Sequence, residues 1–352
     1  MAYLESYNDG DVVDDTQRVV TSTWTNNVNN LTAVHTSSAQ VDFSTATSKG
    51  AFFIDVYNEA TSSTSAEVQY SVAYGHKAGS GSLDFSNDVG AYGNSPSKVI
   101  YNQYRQLVFG DETKNFSFPG TAGATDAYTP DDIYVININR GRYKNNLKPG
   151  TLNLKLSGSG GTSIPAGLFL TDDSITSTGS AILTNAGRQF NLVSGSSGVR
   201  SGSSTVQVAD SGSYGLYYPD SGFIILNPAA VGHHVSNSLP GVGSHNADNN
   251  HNKLVIAISG GASFIVDSEE TISSKYYFTR IKNQDFNFTT NPSFIDNNGN
   301  LRYNTMEANP KVYITTVGLY NDTNELVAVA KLSQPIAKDF SKEALIRVKL
   351  DY

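Results

Sequence analysis

Apolar and polar positions alternate along most of the chain. Residues 66–74 place Val68, Tyr70, Val72 and Tyr74 on one side and Glu67, Gln69 and Ser71 on the other. Side chains of a strand repeat with period two, so this pattern predicts a half-buried strand. Residues 51–57 are more uniformly apolar, and the Thr/Ser-rich stretch 61–64 predicts a hairpin between the two. Leu152, Leu154 and Leu156 alternate with Asn153 and Lys155 after a Lys148-Pro149-Gly150 turn. Residues 134–139 and 223–226 read as further strands. Between apolar runs, 217–222 is a turn in which Pro219 presets φ and Gly222 supplies a positive φ. Asn298-Gly299 is the favoured centre of a two-residue hairpin.

The C-terminal pattern is the clearest. Residues 312–320, 326–332 and 344–350 predict three strands of a meander, with a turn at 321–324. In the last strand Ala344, Ile346, Val348 and Leu350 face inward and Leu345, Arg347 and Lys349 outward. Pro335 is assigned to a connection, because proline cannot serve a central ladder. Such a meander needs a partner surface over its apolar face.

Helical periodicity is scarce. Residues 96–109 predict one helix, with Pro96 in the first position, Gly110 as the stop, and Val99, Ile100, Gln103, Tyr104, Leu107 and Val108 on one face. Residues 16–33 carry Val20, Trp24, Val28 and Leu31 at helical spacing, but Asn26, Asn27, Asn29 and Asn30 oppose a helix, so a short helix and an extended arm both stay open. The expected fold is mostly β, built of antiparallel sandwich-like or barrel-like domains with one or two short helices. Gly/Ser-rich stretches at 157–161 and 194–204, and the Asn/His-rich stretch 245–252, read as loops. They suggest an N-terminal arm and β-rich domain over 1–156, a Ser/Gly-rich middle β domain over 157–265 and a C-terminal β-meander domain over 266–352. No repeat of fixed period argues for a solenoid or propeller.

Composition narrows the function classes. The chain of 352 residues has no cysteine, which excludes disulfide scaffolds, cysteine-liganded metals and thiol nucleophiles. A net charge of -8 argues against a nucleic-acid binder. No apolar run is long enough for a membrane helix, and residues 1–5 show no secretory-signal pattern. Aromatic residues make up 11%, enough to supply a core rather than a disordered chain.

Catalytic motifs are missing: no phosphate-binding loop, no H-E-x-x-H and no G-x-S-x-G. Gly79-Ser80-Gly81 lacks the third glycine of a dinucleotide fingerprint and reads as a loop. His233, His234, His245 and His251, with Asp248, have the chemistry of first-row metal ligands. Their spacing matches no established ligand set, so a solvated loop is the expectation, with no metal and no cofactor. The doublets Asp14/Asp15, Asp131/Asp132, Asp172/Asp173 and Glu269/Glu270 could suggest glycoside hydrolysis. Adjacent strand residues point to opposite faces, so solvated turns are expected and no enzyme is inferred.

One resemblance rests on the C-terminal residues. Gly318-Leu319-Tyr320-Asn321-Asp322 followed by Leu326-Val327-Ala328-Val329 resembles an element of tail-fibre-attachment and baseplate proteins of contractile-tailed bacteriophages. Residues 66–76, 277–288 and the ending 345–350 are similar to segments of virion proteins of the same phages. The resemblance implies a virion structural protein of the tail or baseplate, assembled in the host cytoplasm, with other phage structural proteins and further copies of itself as partners. It implies no catalytic residue. A receptor- or glycan-binding tail tip and a capsid decoration protein are the alternatives. The polar N-terminus suits an arm that orders on a neighbouring chain through Tyr3, Leu4 and Tyr7. The outward Arg347 and Lys349 are expected to meet an acidic neighbour.

Overall fold

The computed structural model describes residues 4–36, 53–81, 95–119, 128–157, 168–175, 181–200, 213–234 and 250–352. Its strands are β1 (Val12–Ser22), β2 (His35–Thr36), β3 (Ile54–Tyr57), β4 (Val68–His76), β5 (Asp132–Ile138), β6 (Asn146–Leu147), β7 (Asn153–Leu156), β8 (Leu168–Asp172), β9 (Ile182–Thr184), β10 (Gly187–Ser196), β11 (Val199–Arg200), β12 (Gly215–Tyr218), β13 (Phe223–Leu226), β14 (Phe264–Ile265), β15 (Asp267–Ile281), β16 (Val312–Tyr320), β17 (Leu326–Lys338) and β18 (Ala344–Asp351). The α-helices are α1 (Pro96–Phe109), α2 (Pro228–His234) and α3 (Asn250–Gly261). With 45% strand and 15% helix in antiparallel sheets, the mostly β expectation holds. Among the described residues there are three α-helices rather than one or two.

The chain divides into two compact units, Val19–Glu270 and Met1–Arg18 with Thr271–Tyr352. In the larger unit one sheet runs in the order β14-β7-β8-β10-β12-β13-β5-β4-β3-β2, with β9 and β11 added along β10. It passes position 156 without a break, since β7 pairs with β8. One side of this sheet carries Tyr70, Tyr74, Tyr134, Ile136, Tyr217 and Leu192, and α3 fills that side with Leu254, Val255 and Ile258. Trp24, Tyr70 and Phe264 pack there edge to face, and the Trp24 indole N–H donates to Phe264 O at 2.7 Å. The other side carries Ala73, Ile133, Val135, Leu216 and Ile225, covered by Ile100, Tyr101, Tyr104 and Val108 of α1. β4 is therefore buried on both faces, not half-buried as its alternation suggests. Gly75 permits the close approach: a Cβ there would sit 2.9 Å from the Tyr101 amide nitrogen of α1.

Helix α1 has the expected ends: Pro96 in its first turn and Gly110 left-handed at φ 64, its N–H bonded to Gln106 O. Its buried face differs from the expected one. Val99 and Leu107 are exposed, while Tyr101 and Arg105 are buried. The Arg105 guanidinium lies over the Tyr101 ring and donates to Asn102 Oδ1 at 2.7 Å, so the charge is accommodated at the helix–sheet contact. Residues 16–33 resolve as the end of β1 followed by a short 3-10 turn at Thr25–Asn27, where Asn26 and Asn27 take positive φ. Asparagine tolerates that region at low cost, which is why these residues end the strand instead of extending a helix.

In the smaller unit, β15 lies between β1 and β18. β16 and β17 form a separate two-stranded ribbon. Ile281, Leu319, Ile346 and Val348 form the core between these layers, with Tyr277, Ile314, Val317, Ala330 and Leu332 against it. The expected meander is thus corrected: β18 pairs with β15, from Ser274↔Asp351 to Ile281↔Ala344, and not with β17. Crossing to the opposite layer lets the apolar faces of both sheets cover one another, which a flat meander could not do. Pro335 is corrected too. It lies inside β17, where the register jumps between Ile314↔Ile336 and Thr316↔Lys331, an irregularity that tolerates a missing N–H.

Candidate functional site

The β16–β17 ribbon is where the smaller unit departs most from an ordinary protein surface. Its inward positions are Val312, Ile314, Val317 and Leu319 on β16 and Ala328, Ala330 and Leu332 on β17. Several outward positions are also apolar. Tyr320, Leu326, Val327 (67% exposed) and Val329 lie together at the turn end, and Tyr313, 65% exposed, lies at the other end beyond Thr315, Thr316 and Lys331. Tyr320 and Leu326 lie over Gly318, whose missing Cβ would be 3.1 Å from the Tyr320 ring. The connecting turn is held by its own side chains. Asn321 Oδ1 accepts from the backbone N–H groups of Thr323 and Glu325, at 3.1 and 2.7 Å. Asn321 Nδ2 donates to Glu325 Oε2 at 2.9 Å and the Thr323 hydroxyl donates to it at 3.2 Å, and these two donors hold the Glu325 carboxyl below its ordinary range. The Asn-Asp-Thr-Asn-Glu run thus presents the apolar strands on a stiff hairpin.

The outward face of β18 is better satisfied. Arg347 and Lys349 both lie over the Tyr276 ring of β15, at 5.4 and 5.9 Å. Lys349 Nζ also pairs with Asp351 at 2.9 Å. Tyr7 of the expected arm has a place on its own chain: its hydroxyl meets Thr279 Oγ1 at 2.7 Å and its ring packs on Tyr277. Leu4 is exposed, and Tyr3 lies outside the described residues.

The larger unit holds most of the buried polar groups named as candidates by the sequence. Tyr128, Thr129, Pro130, Asp131, Asp132, Pro228 and Ala229 line a cleft of about 170 Å³. Asp131 is exposed, whereas Asp132 is buried and accepts from the Tyr74 hydroxyl at 3.2 Å. Burial, and then the Asp132 charge, pushes the Tyr74 phenol far above its ordinary value, so it stays a donor. Asp172 and Asp173 are also buried, against the expectation of solvated turns. Gly150 N–H and the Ser174 hydroxyl donate to Asp172 Oδ2, and Asn191 donates to Asp173 through its backbone and side-chain nitrogens. Burial nevertheless raises both carboxyls above the usual range. These donors fix the carboxylates within the fold; neither pairs the other across a substrate-sized gap.

Of the histidines, His251 is placed in the first turn of α3, which corrects its reading as loop. It is buried, and burial lowers its imidazole to about 4. His245 and Asp248 lie outside the described residues, as do the side chains of His233 and His234. Among the described residues no group of histidines and carboxylates could hold a metal.

Comparison with protein families, with curated proteins and with solved structures found no match. The pattern of the C-terminal strands marks 311–352 as an assembly surface but points to Arg347 and Lys349 of β18, not to the outward residues of β16 and β17. A signal was present: 312–320 and 326–332 carry apolar residues at both parities, one set more than a strand with a single covered face requires.

Proposed function

We propose that the chain is a structural component of a bacteriophage virion, a tail or baseplate protein that joins neighbouring subunits or attaches tail fibres. The observation that supports this most is the turn end of the β16–β17 ribbon, with Tyr320, Leu326, Val327 and Val329 exposed together on a hairpin closed by Asn321. Contiguous exposed apolar surface of this kind marks a contact with another macromolecule. Each ribbon strand also keeps one edge without a ladder partner among the described residues, and a free edge is a template for another strand. The phage-like element of the sequence falls on this same hairpin. In this reading the protein acts by assembly and not by catalysis, and its cysteine-free chain assembles in a reducing cytoplasm.

The test is incorporation into particles of the phage that encodes it. Wild-type chain should be recovered in purified particles. Val327→Asp with Val329→Asp should keep its thermal midpoint within a few degrees and be lost from particles. Wild-type chain found only in the soluble fraction would overturn the proposal.

A further inference from the structure

We propose that the free edge of β16 pairs antiparallel with β16 of a second copy of this chain, about a two-fold axis between Thr315 and Thr316. The two ribbons then form one continuous sheet. This rests on the reading of the ribbon as an assembly surface and names its partner.

Three features of β16 carry the inference. The first is charge. β1 carries Asp14, Asp15 and Arg18, and β18 carries Arg347, Lys349 and Asp351, the kind of residue that keeps an edge from pairing. β16, Val-Tyr-Ile-Thr-Thr-Val-Gly-Leu-Tyr, has no charged residue, and it is β17 that runs beside β18.

The second is a pattern that reads the same in both directions. From Val312 to Leu319 the positions run buried, exposed, half-buried, exposed, exposed, half-buried, exposed, buried. A second copy running antiparallel about the centre sets Val312 opposite Leu319 and Ile314 opposite Val317 on the inward side. On the outward side Tyr313 comes beside Gly318 and the Tyr320 ring that lies over it, and Thr315 meets Thr316. Thr–Thr pairs and neighbouring aromatic rings are favourable across strands. The change of phase that turns both Thr315 and Thr316 outward lies where the ladder to β17 shifts register, so the same irregularity in each copy meets at the axis.

The third is complementarity at the ends. The same register lays Lys311 of one copy beside Tyr320 of the other, and the two-fold axis repeats this contact. A cation beside an aromatic ring favours this register over slipped ones.

The test uses the purified full chain. Light scattering on a sizing column, over a dilution series, should show a dimer. Thr315→Lys with Thr316→Lys places like charges around the axis and should weaken dimerisation about a hundredfold or more. Diluted until wild type is also monomeric, its thermal midpoint should match wild type, because both side chains are exposed. Mixing it with the Thr315→Glu, Thr316→Glu chain should restore the dimer. The chain has no cysteine, so with oxidised glutathione as the oxidant a Thr315→Cys chain mixed with a Thr316→Cys chain should form a disulfide-linked pair faster than either alone. A monomeric wild type, or a dimer that survives the paired lysines, overturns the two-fold pairing. If that monomer is still found in particles, the assembly reading stands and its partner is another protein.

Discussion

Lys338 Nζ donates to Asn287 Oδ1 at 2.9 Å from the end of β17, with both side chains inside the smaller unit. The same ammonium donates to Asn283 O at 2.8 Å and Asp339 O at 3.3 Å. Three neutral oxygens therefore take its three N–H bonds, and no carboxylate is among them. Asn287 Nδ2 in turn donates to Asn283 O at 2.7 Å, which closes the loop 283–287 over the lysine. A buried ammonium is costly to hold without such partners, and its partners are costly to leave unpaired.

Lys338→Met should thus destabilise the smaller unit by about 2–4 kcal/mol, chiefly through the stranded oxygens. Lys338→Met with Asn287→Leu should recover part of the loss, because one of those oxygens goes with it. Denaturant midpoints of the two variants check this. Equal losses in both would mean that Asn287 is not coupled to the lysine.

Trp24 is the chain's one tryptophan and is buried against Tyr70 and Phe264 of the larger unit. Its fluorescence should report the unfolding of that unit. Trp24→Phe removes the donor to Phe264 O and part of the packed ring, and should cost about 1–3 kcal/mol. Calorimetry should show that loss. Lys338→Met should leave the tryptophan transition less affected than the circular dichroism of the whole chain; identical shifts of both signals would show that the two units unfold as one.

Stability should also depend on His251. Burial holds its folded imidazole at about 4, against an ordinary 6.5. The unfolded chain then binds a proton that the folded chain refuses. The stability is fully present above pH 6.5 and is lost as pH falls toward 4, by at most about 3 kcal/mol. Asp172 and Asp173, raised by burial, act in the opposite sense, since their contribution falls as pH rises through their folded values. Chemical denaturation at pH 7 and pH 5 should therefore show a smaller loss of stability in His251→Gln than in wild type. An unchanged loss in the variant would assign the acid sensitivity to other groups.

The strands, the bounds of α1 and the 217–222 turn were legible because each depends on local pattern: period two, Pro96 and Gly110 at the helix ends, and Gly222 at φ 71. The layer in which a strand pairs was not. Ala344, Ile346 and Val348 show which face of β18 is buried, but neither Tyr277 as its neighbour in the sheet nor Ala330 in the layer over it is marked in the sequence. The buried state of Asp172 and Asp173 was hidden for the same reason, because the donors that hold them come from Gly150 and Asn191, far along the chain. Helix α3 escaped notice because its apolar residues Leu254, Val255, Ala257 and Ile258 lack clean periodicity and follow an Asn/His-rich run. On the candidate surface, the palindromic pattern of β16 becomes visible only when burial is known at each position.

The two outward faces of the smaller unit can be told apart by charge reversal on β18. Arg347→Glu with Lys349→Glu removes two cations from above Tyr276 and sets a glutamate beside Asp351 in place of a pair. All these groups are at the surface, where salt screens them and exposed pairs contribute little, so the cost should be about 1 kcal/mol or less. If β16 and β17 form the contact, this variant should dimerise and enter particles as wild type does, while Thr315→Lys with Thr316→Lys should do neither. The measurement is incorporation of each variant into particles beside its thermal midpoint. Loss of incorporation on charge reversal at an unchanged midpoint would move the interface to β18, where a basic patch on a chain of net charge -8 would meet an acidic neighbour.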